Sequence, residues 1–93
     1  MKTVRVNNGQ VQEFENGAHR RSFGSNIAFA ATDGHSVAAV TNSGQVQIYI
    51  NGAHQRTFGA NAVSAQVSGD TVVVQTSSGR SEEYVNGAHR RTY

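Results

Sequence analysis

The 93-residue chain contains no cysteine, no proline and no tryptophan. Without cysteine there is no disulfide framework, no thiolate metal site and no thiol nucleophile. Charged residues make up only 15% of the chain, and the formal net charge is +2 with a single lysine among the cations. Disordered chains commonly carry a high net charge, so an ordered domain is the natural expectation. No apolar run approaches the roughly 18 residues of a membrane-spanning helix. The opening MKTVRVNNGQ has no apolar stretch of signal-peptide length. A cytoplasmic location, away from any membrane, is the default expectation. What the chain does have is ten glycines.

The glycines belong to a repeat. Asn16-Gly17-Ala18-His19 recurs as Asn51-Gly52-Ala53-His54 and as Asn86-Gly87-Ala88-His89, 35 residues apart each time. Gly9, Gly44 and Gly79 keep the same spacing, as do Phe14, Tyr49 and Tyr84, and Phe23, Phe58 and Tyr93. The chain reads as one repeat domain with a truncated first unit (1–24), a second unit (25–59) and a third (60–93). The half around Asn-Gly-Ala-His is the better matched, and the copies have drifted elsewhere.

Each unit is expected to form short strands between glycine turns. In the third, AVSAQV from Ala62, TVVVQT from Thr71, RSEEYV from Arg80 and HRRTY from His89 are separated by Ser68-Gly69, Ser77-Ser78-Gly79 and Asn86-Gly87. Asn-Gly is a strong hairpin signal, because a type I′ turn needs positive φ at both central residues. Proline is missing for a related reason: paired strands need their N–H groups. No segment carries a sustained apolar 3.6-residue period, so no helix of consequence is expected. The fold class is therefore all-β, built of tandem four-stranded antiparallel meanders.

One such meander is too thin to bury a core, so the units must stack face to face. The run AVSAQVSGDTVVVQTSSGRSEEYVNGAHRRTY resembles a β-propeller blade of unusually short length, and the resemblance covers the whole chain. It rests on pattern, with no WD dipeptide, kelch double glycine or Asp-box. A β-prism like that of the monocot mannose lectins is the second resemblance. That family's sugar motif, Gln-x-Asp-x-Asn-x-Val-x-Tyr, is not found; the nearest stretch, Gln66 to Val74, lacks its Asp and Asn.

The first unit lacks its first strand, so the chain supplies about eleven strands where propellers use about 4–8 four-stranded blades. An open stack would expose apolar faces and strand edges. The expectation is a ring completed by homo-oligomerisation, as a dimer or trimer. Strict alternation puts Val4, Val6, Ala28, Ala30, Val37, Ala39, Val63, Ala65, Val72 and Val74 inside. It puts Ile27 and Phe29 on the opposite face, as an inter-subunit contact.

Candidate binding residues also follow the period. His19, His54 and His89 come just after the hairpin turn, and Arg21, Arg56 and Arg91 lie two residues on. Alternation would place each His-x-Arg pair on one face, where it suits phosphate, carboxylate or nucleic-acid backbone. The competing reading is structural: the imidazole pairs across to the preceding strand, and Glu13, Glu15, Glu82 and Glu83 pair with the arginines. The second unit favours pairing. It lacks the acids, with Gln47 and Ile48 instead, and it lacks the arginine doublet, with Gln55-Arg56. Tyr49 and Tyr84 are candidate aromatic platforms for a glycan. Asp33-Gly34-His35 reads as an ordinary turn, and Asp33 is not repeated at Ser68.

No zinc-protease, nucleophile-elbow or phosphate-loop motif occurs, and no cofactor is implied. The chain is therefore expected to be a non-enzymatic binding or assembly module whose equivalent sites add as avidity. Its ligand would be a protein or a glycan. The alternatives are polyanion or nucleic-acid binding through the His-x-Arg rows, disfavoured by the single lysine, and a purely structural scaffold.

Overall fold

A computed structural model describes all residues from Met1 to Tyr93. It is all-β, with no helix, and comprises three antiparallel sheets. The first sheet holds β1 (Lys2–Asn7), β2 (Gln10–Glu15) and β3 (Ala18–Phe23). The second holds β4 (Ile27–Thr32), β5 (Ser36–Thr41), β6 (Val46–Ile50) and β7 (Ala53–Phe58). The third holds β8 (Ala62–Ser68), β9 (Thr71–Thr76), β10 (Ser81–Val85) and β11 (Ala88–Thr92). Strands neighbouring in sequence are neighbours in each sheet. The Asn-Gly turns have the φ pair of a type I′ hairpin, +52° and +80° at Asn51-Gly52.

The sheets stack, and each junction has its own core. Val11, with Val4, Val6 and Phe23 beside it, meets Ile27, Val37, Ala39 and Tyr49 of the second sheet. The other face of the second sheet gives Ala38, Val40, Val46 and Ile48, which meet Ala62, Ala65, Val67, Val72, Val74 and Tyr84. Backbone bonds tie the stack at matching places. The Ile27 N–H donates to the Gly9 carbonyl at 2.9 Å, and the Ala62 N–H donates to the Gly44 carbonyl at 2.9 Å.

Alternation fails at a bulge in each of β4 and β8. Between Ile27 and Phe29, and again between Ala62 and Ser64, two residues oppose one on the neighbouring strand. A bulge reverses the face of everything beyond it. Ile27 is consequently core, 2% exposed, and not an outward contact. Ala28 is exposed and Val63 is 54% exposed, so both leave the expected core. Val37, Ala39, Ala65, Val72 and Val74 are buried as expected, while Val4, Val6 and Ala30 pack at its margin.

The first sheet departs from the other two in register. In the second and third units, Thr41 and Thr76 brace four-residue connections: the Thr41 Oγ1 accepts from the Gln45 N–H at 3.1 Å, and the Thr76 Oγ1 from the Arg80 N–H at 3.2 Å. The first unit has Val6 there, with no hydroxyl, and Asn8 in place of Ser43 and Ser78. Asn8 accepts φ +55° and Gly9 +76°, so a two-residue turn closes instead. Val4 now pairs with Glu13, whereas its counterpart Ala39 pairs with Gln47 and not with Ile48. A one-residue slip turns every side chain of a strand over. Val4 and Val6 therefore face the second sheet, and Thr3, Arg5 and Asn7 face out.

The two outer faces are polar. On the first sheet, Arg5 covers Phe14 with its guanidinium carbon 5.4 Å from the ring centroid, and its Nε donates to Gln12 at 2.8 Å. On the third sheet, Ser64, Gln66, Gln75, Ser81 and Glu83 stand where the second has Phe29, Ala31, Val40, Val46 and Ile48. The large exposed apolar side chains are Met1, Val63 and Tyr93. The broad apolar end faces from which ring closure was expected do not occur.

Candidate functional site

Each hairpin closed by an Asn-Gly turn carries a further bulge. Glu13 pairs with Arg21 and Phe14 pairs with His19, which leaves Arg20 as the extra residue. Gln55 and Arg90 are the extra residues in the other units. Because Glu13 and Phe14 lie on opposite faces, so do Arg21 and His19. The expectation of a His-x-Arg pair on one face is thus corrected: His54 is separated from Arg56, and His89 from Arg91, in the same way.

The histidines are braces within their hairpins. The His19 ring meets Phe14 edge-on at 5.4 Å, and its Nε2 lies 3.0 Å from the Ser22 Oγ. His54 repeats this with Tyr49 at 5.4 Å and the Thr57 Oγ1 at 2.7 Å. His89 does so with Tyr84 at 5.4 Å and the Thr92 Oγ1 at 2.8 Å. The hydroxyl three residues on reaches the ring because the bulge between them brings both side chains onto one face. No group of three or more His, Asp or Glu side chains is placed to hold a metal ion.

Tyr49 and Tyr84 are not surface platforms. Phe23 stacks on Tyr49 at 4.6 Å, and Phe58 on Tyr84 at 4.5 Å, across the two junctions. Their hydroxyls donate to Gln47 at 2.6 Å and to Glu82 at 2.8 Å. Burial raises the pKa of both phenols, and at Tyr84 burial together with the neighbouring Glu82 carboxylate pushes it up to about 12.

The arginines make the junctions. Arg21 lays its stem on Gly52, so close that a Cβ there would meet the Arg21 Cδ at 2.9 Å. Arg56 lies on Gly87 in the same way, with the corresponding approach at 3.0 Å. Gly17, in the first Asn-Gly turn, has open space in place of a Cβ. Neither arginine nor glycine stands near the other in sequence. The repeated Arg at one fixed distance before the next Asn-Gly was the signal, legible only once the units are stacked.

Beside each arginine is a cleft. Between the first and second sheets, Lys2, Glu13, Glu15, Arg20, Arg21 and Asn51 line one of about 200 Å³. Glu13 is 3% exposed, and its Oε2 lies 3.7 Å from both the Lys2 Nζ and the Arg21 Nε. Between the second and third sheets a smaller cleft of about 60 Å³ has Ile48, Ile50, Phe58, Val67 and Val72 as its apolar wall. Arg56, Asp70, Gln55 and Asn86 edge it. Arg91 pairs with Glu83 at 3.8 Å on the outer face of the third sheet.

Asp33 also ties the stack, although it reads in sequence as a simple turn residue. Its Oδ1 accepts from the His35 and Ser36 N–H groups at 2.8 Å each, and its Oδ2 from the Gly69 N–H of the third unit at 2.7 Å. Partial burial raises its pKa, but the backbone hydrogen bonds outweigh this and hold it below the usual carboxylate value.

Stacked antiparallel sheets repeating every 35 residues define an all-β tandem-repeat protein. The chain belongs to the family described as Helicobacter pylori IceA2 protein, whose model matches residues 2–55 and again residues 42–93. No curated protein matches the chain. No helix is long and apolar enough to cross a membrane.

Proposed function

We propose that the chain is a non-enzymatic binding module that presents its inter-sheet clefts, at 35-residue intervals, to a protein ligand. The observation that carries this reading is the repeated junction: Arg21 over Asn51-Gly52 and Arg56 over Asn86-Gly87, each edging a cleft. Two related clefts on one rigid stack suit a ligand with repeated features, because weak contacts then add as avidity. A glycan is the less favoured ligand, since Tyr49 and Tyr84 are buried. In the same reading the stack is a short arc of propeller-type blades. In support, the first strands β4 and β8 lie against each other, while the last strands β7 and β11 are largely exposed.

Panels of displayed peptides and of glycans, screened against the immobilised chain, test the reading. A selected peptide is expected to shift the amide resonances of Asn51, Gly52, Asn86 and Gly87 in the ¹⁵N-labelled protein. Blank panels, or a ligand mapping away from both junctions, would overturn it. One observation favours a scaffold role instead: His19, His54 and His89 all act as internal braces. Replacing His54 and Arg56 together separates the two, since a scaffold loses only stability.

A further inference from the structure

The three copies of the hairpin are an internal experiment on one arginine. In the first unit Arg21 faces a buried carboxylate, Glu13. In the third Arg91 faces Glu83. In the second the facing position is Ile48, and the paired residue across the strands is still Arg56. Arg56 makes no ion pair within 4.0 Å, although its stem is fixed on Gly87 as Arg21 is on Gly52. The substitution of Ile for Glu removes a charge and leaves an apolar wall in its place. Ile50 does the same where the first unit has Glu15.

We propose that the cleft between the second and third sheets binds an acidic side chain of a partner protein, flanked by an aliphatic residue, with Arg56 receiving the carboxylate. Charge complementarity picks the occupant. The chain fills this position with its own carboxylate in both other units, and guanidinium–carboxylate pairs are the favoured match for a fixed, planar donor. Ile50 and Phe58, the half-buried members of the apolar wall, offer the flanking residue contact. Asp70 shares the rim and limits the cleft to one acid. The Asn86 side chain, on the opposite lip, is a further donor. The proposal rests on the reading of the chain as a protein-binding module.

The test uses the full chain and two blocked tripeptides, acetyl-Leu-Glu-Leu-amide and its Gln counterpart, followed by NMR. The Glu peptide is expected to shift the Arg56 Nε–H and the Asn86 and Gly87 amides with a Kd of about 1 mM, and the Gln peptide to bind about tenfold more weakly. Arg56→Met keeps the stem on Gly87 and should lose the preference for Glu. Ile48→Glu should close the site from within, as Glu13 does beside Arg21. Equal binding of the two peptides, or a preference for Glu that survives in Arg56→Met, would overturn the carboxylate site. If neither peptide binds while a panel-selected ligand still maps to the junctions, this site is wrong and the module reading stands.

Discussion

Gly52 shows how a single residue can couple two repeats. It sits at φ +80°, and a Cβ there would strike the Arg21 Cδ at 2.9 Å. Gly52→Ala is expected to destabilise the chain by about 1–3 kcal/mol in urea unfolding. Gly17→Ala has similar backbone strain but an empty surrounding, so it should cost less; equal losses would mean that the Arg21 contact is immaterial. Asp33 gives a pH test. Because its folded pKa is depressed, the stability it contributes is present above the unfolded value of about 3.9 and is lost as pH falls through the lower folded value. Asp33→Asn should flatten the acid limb of the stability curve relative to the native chain. At the alkaline end, Tyr84 should ionise only near pH 12, and Glu82→Gln should bring that titration down. Ultraviolet difference titration of the two proteins reads this directly.

Among the elements, β1 is the informative one. Its two-residue turn depends on Asn8 at φ +55°. Asn8→Ser copies Ser43 and Ser78, but Val6 cannot supply the hydroxyl brace of Thr41 or Thr76. The variant should lose about 1 kcal/mol, from the cost of a left-handed residue other than Asn or Gly. Amide exchange should quicken in β1 before it does elsewhere. Uniform loss of protection would show that β1 unfolds only with the whole stack. The number, order and turns of these strands are legible in the sequence, since Asn-Gly, Ser-Gly and β-branched runs act locally. The bulges at Ala28, Val63, Arg20, Gln55 and Arg90 are not, because nothing in IAFA or HRR marks the residue that loses its partner. That single blind spot misplaced Ile27 and put His19 and Arg21 on one face.

For the whole molecule, the end faces decide how many chains associate. Stacked repeats need polar terminal faces to remain apart. Arg5 over Phe14 supplies one, and Ser81, Glu83 and Gln75 supply the other. The 93-residue chain is accordingly expected to run as a single copy at micromolar concentration in light-scattering measurements. Restoring the second unit's pattern with Ser81→Val and Glu83→Ile should expose an apolar face and raise the mass. A native chain that already runs as a dimer or trimer would return the argument to ring closure by several copies.

Local chemistry was enough to determine the all-β class, the three units and their strands, since turn preference and strand propensity act over a few residues. Tertiary structure decided which side of each strand is buried. A bulge or a one-residue slip costs little locally, yet it inverts an entire face. The same holds for the junction site. Arg56 and Gly87 are 31 positions apart, and only the stacking of one sheet on the next brings them together.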